Sequence, residues 1–292
     1  MPYESGFRPG LFDGQLVFVP GGGGGLGRCV AHELAALGAR LVIAGRSMDK
    51  LERTRDEIQD AGGEVLSCHT AELRDETQVQ ALVSTIVERH GRIHGLVNAA
   101  GGQFPAPLED LSLNGWNAVI ANNLTSYFLM TREVYRQCMK THGGAIVNIG
   151  ADHGRGSAGM GHNGAARAGL ASLTATAATE WAHAGVRVNL VVPGFIATTG
   201  LDRYPESAWD AIRRMPSRIP LRRFGVAAEI AAAVTFLLAP MSAYTTGAEI
   251  RVDGGLHNGG GSFVYESPPP RNTPAWNGFH LDEPPGILER PS

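Results

Sequence analysis

Three cysteines in 292 residues, Cys29, Cys68 and Cys138, stand far apart, with no CxxC pair and no histidine at ligand spacing. That excludes a disulfide framework and a zinc site as organising devices, and no metal is expected. Charge of either sign is also unremarked: the formal net charge is -3 with acidic and basic residues interspersed, so the basic footprint of a nucleic-acid binder is missing. No basic stretch followed by an apolar run opens the chain, no segment nears the roughly 18 apolar residues that span a bilayer, and no peroxisomal SKL closes it. These absences lead to the expectation of a soluble cytoplasmic protein without nucleic-acid or membrane partners.

What the chain has instead is a series of short apolar runs. LVFV (16–19), RLVIAG (40–45), GEVLSCHT (63–70), IHGLVNAAG (93–101), GGAIVNIG (143–150), VRVNLVVPG (186–194) and AEIRVDGG (248–255) read as strands, because such runs suit strands covered on both faces. Between them, VAHELAALG, KLERTRDEIQDAG, TQVQALVSTIVERHG and EIAAAVTFLLAP repeat apolar residues at helical spacing. The alternation predicts an α/β fold: a Rossmann-type doubly wound seven-stranded parallel sheet with helices on both faces, in a single domain over residues 1–255. Right-handed crossovers bring every strand's carboxyl end, and hence the ligand crevice, to one edge.

Two segments break the rhythm. Residues 199–224, TGLDRYPESAWDAIRRMPSRIPLRRF, are arginine-rich and weakly periodic, which suits a lid over the crevice. Residues 256–292 hold seven of the 17 prolines and a GGG run at 259–261, which makes an extended tail. Its Phe263, Tyr265, Trp276 and Phe279 carry apolar surface that gains by burial, so the tail is expected to pack on a subunit, with slack to reach a neighbour's crevice.

The segment VFVPGGGGGLGRCVAHELAALG places Gly21, Gly25, Leu26 and Gly27 between the first strand and the first helix. Glycines there let the backbone approach a pyrophosphate at the positive end of the helix. An acidic residue ending the second strand would bind the 2'-hydroxyl of NAD, but VIAGRS offers no carboxylate and places Arg46 just beyond the strand, which favours NADP(H).

The GxxxGxG spacing resembles the short-chain dehydrogenase/reductase superfamily, and over roughly residues 10–256 the likeness extends to NAAG (98–101), to Asn123 in NNL and to VVPGFIAT. The resemblance implies that Asn98, Ala99, Ala100 and Gly101 support the cofactor, that Pro193, Gly194, Ile196 and Thr198 line the nicotinamide, and that Glu72 and Leu73 hold the adenine. Two departures stand out: Pro20 replaces the usual threonine, and Glu72 the usual aspartate.

A larger departure lies in GHNGAARAG (161–169), where Asn163 and Arg167 stand in the places of the family's tyrosine and lysine, while Gly150 and Ala151 cover its serine position. Asn163 cannot act as an acid, and an arginine with a pKa above about 12 releases no proton, although it can clamp the nicotinamide ribose. GGQFPAPLEDLSLNGWNAVIANNL and HNGAARAGL strongly resemble the peroxisomal trans-2-enoyl-CoA reductases and, less closely, the 2,4-dienoyl-CoA reductases. Bacterial citronellol and citronellal dehydrogenases are similar too. The enoyl reductases also lack the tyrosine. Hydride addition to the β-carbon of an enoyl thioester spreads charge into an enolate, which hydrogen-bond donors can hold. Asn123 and Asn163 are the candidate donors, with Asp152, His153 and His162 as water holders.

The resulting expectation is an NADPH-dependent reductase of an activated C=C bond acting on a small-molecule substrate, free or linked to CoA or another carrier. Six lid arginines, Arg203, Arg213, Arg214, Arg218, Arg222 and Arg223, offer themselves to carrier phosphates or to solvent. Two alternatives remain open: an alcohol or aldehyde dehydrogenase with its acid relocated to Asp152 or His153, and a non-redox cyclase or cofactor-binding scaffold. The small residues of GAARAGLASLTATAATE suit close packing in a homodimer or homotetramer, the helix being the family's subunit interface.

Overall fold

A computed structural model describes residues 2–154, 156, 158–258 and 273–289. The seven runs form one parallel sheet: β1 (Leu16–Pro20), β2 (Arg40–Gly45), β3 (Glu64–Thr70), β4 (Gly95–Asn98), β5 (Gly144–Ile149), β6 (Val186–Pro193) and β7 (Glu249–Val252), in the order β3-β2-β1-β4-β5-β6-β7. Every residue of β1 is buried, as a central strand covered by helices on both faces requires. The order reverses between β1 and β4, which opens the topological switch point at their carboxyl ends.

The connections are α1 (Gly25–Ala36), α2 (Met48–Asp60), α3 (Glu76–His90), α4 (Leu113–Ile120), α5 (Ser126–Val134), the short α6 (Lys140–His142), α7 (Gly161–Trp181), α8 (Trp209–Arg213), α9 (Ala227–Leu238) and α10 (Gly286–Glu289). Their ends follow local chemistry. Asp75 accepts the Gln78 N–H to start α3, Arg89 and His90 fall in its last turn, and Gly91 at φ 77° stops it. Ser112 caps α4 by accepting the Gly115 N–H at 3.1 Å. A π turn, Ala121–Thr125, interrupts the passage from α4 to α5 and carries Asn122 and Asn123. Such bulges re-aim side chains and recur at functional sites.

One face of the sheet packs on α1 and α9 through Val17, Val19, Val30, Leu34, Ile230 and Val234. The other packs on α3, α5 and α7 through Phe18, Val83, Met130 and Ala177. Full burial of such side chains contributes roughly 1.5–3 kcal/mol each. Among the described residues, no helix is long and apolar enough to cross a membrane.

One expectation needs correction. The strand anticipated over 93–101 pairs only over Gly95–Asn98, which frees Ala99, Ala100 and Gly101 to turn toward the crevice. The described part of the tail, residues 273–289, packs on its own chain. Phe279 is buried against Tyr3 and α1, whereas Trp276 remains 41% exposed. Phe263, Tyr265 and the GGG run at 259–261 lie outside the described residues.

Candidate active site

The glycine turn is shaped by contact with the next strand. Gly21 sits at φ 91°, and a Cβ there would lie 2.5 Å from the Ala100 nitrogen, so only glycine fits between β1 and the turn after β4. At Gly27 a Cβ would lie 2.3 Å from the Gly21 oxygen. The turn therefore folds onto itself and against Ala99 and Ala100, while Gly25 at its outer edge is exposed. No acidic side chain occupies the first turn of α1, and no side chain caps it. Its amide groups thus remain available to an anion. Leu26 packs partly on the core beneath. Pro20 ends β1 and needs no N–H to do so: its oxygen accepts the Ala99 N–H at 3.0 Å, and the Gly21 N–H reaches the Ala44 oxygen at 2.7 Å.

Behind this turn the central strands are cross-linked. Asn98 Nδ2 donates to Asn148 Oδ1 at 2.8 Å and to Thr131 Oγ1 at 2.9 Å, and Asn148 Nδ2 donates to Thr174 Oγ1 at 2.9 Å. These bonds hold β4, β5, α5 and α7 together just below the crevice. Arg46 is exposed immediately after β2, near enough to Glu72 to help hold that carboxyl below the usual range. The main cause there is Arg74, which grips Glu72 with Nε at 2.7 Å and Nη2 at 2.5 Å. The Leu73 side chain is buried in the core.

The opposite wall joins the π turn to α7. Asn123 is fully buried; its Oδ1 accepts the Gly102 N–H at 3.0 Å and its Nδ2 donates to Asn163 Oδ1 at 2.9 Å. The Gly102 bond fixes which end of the Asn123 amide is oxygen, and that in turn fixes Asn163, leaving Asn163 Nδ2 without a partner among the described residues. One turn along α7, Arg167 is 6% exposed, donates Nη1 to the Ile149 oxygen at 3.2 Å and lies 5.4 Å from the ring centre of Tyr127. The Tyr127 hydroxyl donates to the same oxygen at 2.9 Å. A Cβ on Gly101 would lie 2.9 Å from Arg167 Nη2, so the absence of a side chain there makes room for the guanidinium. Among the described residues, Arg167 Nε is buried without a partner and no carboxylate pairs with the group.

Asp152 and His153 point elsewhere. Asp152 Oδ1 accepts from Arg251 Nη1 at 2.7 Å and lies 2.9 Å from His257 Nδ1. Partial burial pushes its pKa up, but Arg251 and His257 outweigh that and hold the carboxyl below its ordinary value of 3.8. His153 lies 3.2 Å from the Ala151 oxygen and 3.4 Å from Glu249 Oε2 on β7. Their bonds are with each other's neighbours on β7 and beyond, not with Asn163 or Arg167. His162, in contrast, is fully buried beside Asn163 with both ring nitrogens unpartnered, its ring edge-on to Phe104 at 4.8 Å.

Past β5, Pro193 ends β6, and a Cβ on Gly194 would lie 2.6 Å from the Asp253 Cα. Ile196 is buried and bridges Gly225, and Thr198 leads into a 3₁₀ turn, Thr199–Arg203. Gln103 Nε2 lies 3.5 Å from the Tyr204 hydroxyl of the 199–224 segment. Arg213 and Arg223 bond within the chain, as does Arg222 through the Ser217 oxygen. Arg203, Arg214 and Arg218 are exposed.

A doubly wound sheet with a glycine turn at its switch point, and amide and guanidinium donors beside it, defines a dinucleotide-binding α/β oxidoreductase. Comparison with known proteins makes the class specific: the chain belongs to the short-chain dehydrogenase/reductase family, and a family model described as enoyl-(acyl carrier protein) reductase matches residues 22–257. A probable 2,4-dienoyl-CoA reductase of Bacillus subtilis is 36% identical over 244 residues, covering 82% of this chain and 96% of that protein. The solved structure of a citronellol catabolism dehydrogenase from Pseudomonas aeruginosa is 49% identical, with a TM-score of 0.79, and covers 87% of this chain and 99% of that one. A gluconate 5-dehydrogenase from Burkholderia cenocepacia, solved with NADP and tartrate, is 29% identical with a TM-score of 0.79 over 84% of this chain and 96% of that one. The family works with nicotinamide cofactors, and the orphaned Arg167 Nε and the side-chain-free cradle of Gly21 and Gly27 fit one.

Proposed function

We propose that the protein is an NADPH-dependent reductase of an activated C=C bond, in an α,β-unsaturated thioester or a related enone. The observation that carries this reading is the pair Asn163 and Arg167: two hydrogen-bond donors that hold no exchangeable acid proton stand together beside the switch point, each with donor capacity left over. Such a site suits charge that develops on an enolate oxygen, and not an alkoxide that must be protonated as the carbonyl is reduced.

The bound cofactor supplies the hydride to the β-carbon. The chain does the rest. The Gly21–Gly27 turn with Leu26 and the amide groups of α1 hold the pyrophosphate. Arg46 takes the 2'-phosphate, and Glu72 and Leu73 border the adenine. Asn98, Ala99, Ala100 and Gly101 form the floor. Pro193, Gly194, Ile196 and Thr198 hold the outer face of the nicotinamide. Arg167 clamps its ribose. Asn163 Nδ2 donates to the enolate oxygen, and Asn123, fully buried, positions Asn163 instead of touching the substrate as first expected. The unpartnered His162 is placed to hold the water that protonates the α-carbon. Residues 199–224 close over the substrate, with Arg203, Arg214 and Arg218 available to the phosphates of a CoA or other carrier. We assign the enzyme to the cytoplasm as a homodimer or homotetramer.

A second reading, an alcohol or aldehyde dehydrogenase, is favoured by the 49% identity to the citronellol catabolism dehydrogenase. It needs an acid: Asp152 is tied to Arg251, His153 lies 3.4 Å from Glu249 Oε2, and the Tyr204 hydroxyl, 3.5 Å from Gln103 Nε2, is a further candidate. NADPH oxidation with crotonyl-CoA, a 2,4-dienoyl-CoA and citronellal, and NADP+ reduction with citronellol, separates the readings. Turnover is expected with a thioester. Turnover with citronellol and citronellal alone would establish the second reading, and none with any substrate would leave a non-redox scaffold.

A further inference from the structure

Contacts at three places tie the end of the chain to the lid and to α1. At the base of the lid, Arg223 Nε donates to the Thr273 oxygen at 2.9 Å, and the Thr273 hydroxyl donates to the Leu221 oxygen at 2.8 Å. The segment then crosses α1. The Gly278 oxygen accepts the Glu4 N–H at 2.9 Å, and a Cβ on Gly278 would lie 1.8 Å from the Glu4 oxygen, so the crossing admits no side chain. Phe279 fills a socket made by His32, Tyr3 and Arg28, at 5.0 Å and 5.7 Å between ring centres and 5.3 Å from the guanidinium carbon. At the front of the lid, Asp202 accepts the N–H groups of Gly286 at 3.2 Å and Ile287 at 3.1 Å, while Arg213 Nε donates to the Ile287 oxygen at 2.8 Å. Ile287 is 2% exposed.

The lid is therefore held at both of its ends by one segment whose middle is fixed to α1. The two supports differ in rigidity. Cys29, Val30 and Leu34 of α1 are fully buried, and the amino end of that helix forms the glycine turn. The lid consists of short 3₁₀ turns and the five-residue α8, and its own backbone bonds are local turn bonds such as Leu201 N–H to the Thr198 oxygen and Ile219 N–H to the Pro216 oxygen. A weakly self-supported lid takes its position from whatever grips it.

We propose that residues 273–289 form a strap that sets the position of the lid, with Asp202 and Arg213 as the positioning residues through which it acts and Phe279 as its anchor on α1. Anything bound at the amino end of α1 is thereby coupled to closure over the substrate crevice, and the effect is reciprocal. The proposal stands whichever substrate the crevice takes.

Trypsin reads lid opening directly, because Arg203, Arg213, Arg214, Arg218, Arg222 and Arg223 all lie in it. The full-length protein and Asp202→Ala are digested with and without NADPH, cleavage sites are mapped by mass spectrometry, and thermal midpoints are recorded. In the wild-type protein NADPH is expected to slow cutting within the lid. In Asp202→Ala, lid cutting should accelerate by about tenfold and the NADPH protection should vanish, while the thermal midpoint and cutting elsewhere stay unchanged. Phe279→Leu keeps the apolar bulk but loses the ring packed against Tyr3 and His32, and should shift lid cutting in the same direction although the change is made at α1 and not at a lid contact. Wild-type lid cutting and full NADPH protection in both variants would overturn the strap. Equal acceleration at every site would overturn it as well, since that marks general loosening.

Discussion

Asn123 Nδ2 donates to Asn163 Oδ1 at 2.9 Å across the gap between the π turn and α7, and this bond decides which end of the Asn163 amide is left to act. Asn163→Ala should lower kcat on an enoyl thioester by about 10- to 1000-fold with KM little changed, because a donor is lost that matters most when charge develops. Asn123→Ala should lower it less, by loosening Asn163. Steady-state kinetics on purified variants checks both; a wild-type kcat in Asn163→Ala would remove the amide from the reaction.

Arg46 stands exposed after β2 with no acid ending the strand. Arg46→Asp should weaken NADPH binding by about 100-fold or more and leave NADH nearly unchanged, since a bidentate phosphate contact is replaced by repulsion. Fluorescence titration with each cofactor measures it, and equal losses for both would contradict the assignment.

Asp152→Asn should retain turnover. The carboxylate is engaged by Arg251 and His257, so its contribution is to stability, about 1 kcal/mol or less for a part-exposed pair. Because its folded pKa is depressed, that contribution is present above its ordinary value of 3.8 and is lost as pH falls through the lower folded value. Loss of turnover without loss of stability would restore Asp152 as the relocated acid.

His32, under Phe279, is pushed from 6.5 down to about 4 by burial, which outweighs the pull of Glu57. The folded protein keeps it neutral while the unfolded chain takes up a proton near pH 6.5. This group's stability is complete above that value and is lost as pH falls from 6.5 to about 4, by up to about 3 kcal/mol. Protonation would also place a second cation beside Arg28 at the strap's anchor. Urea titrations at pH 7 and pH 5 should show the slope, and His32→Gln should flatten it.

The sheet was legible because parallel strands, largely buried in all but the edge strands β3 and β7, leave apolar runs that no loop imitates, and the glycine turn because close approach forbids side chains at Gly21 and Gly27. Asn163 and Arg167 were found by position within α7. Tyr127 was missed, although its place four residues after Asn123 carried the signal of a shared helical face. The partners of Asp152 were not legible at all: Arg251 and His257 lie 99 and 105 residues away and meet it only through the β6–β7 edge. The tail's aromatics signalled burial, but only the folded chain shows that Phe279 meets α1 while Trp276 stays largely outside.

Rebuilding the family's usual pair with Asn163→Tyr and Arg167→Lys should not yield an efficient ketone reductase. A phenol at 163 removes the acceptor that satisfies Asn123 Nδ2, and an unpaired donor at a fully buried site costs about 1–3 kcal/mol. Lysine at 167 would lose the fork that reaches the Ile149 oxygen and the space over Tyr127 together. The missing serine cannot simply be added either: a Cβ on Gly150 would already lie 3.0 Å from Leu190 Cδ1, so Gly150→Ser requires that leucine to yield. The double variant should therefore lose thioester turnover, as Arg167→Ala alone should by misplacing the nicotinamide, and gain little on a ketone. NADPH oxidation with crotonyl-CoA and with a cyclic ketone measures both, and a ketone rate matching the wild-type thioester rate would show that the site is an ordinary ketoreductase two substitutions away.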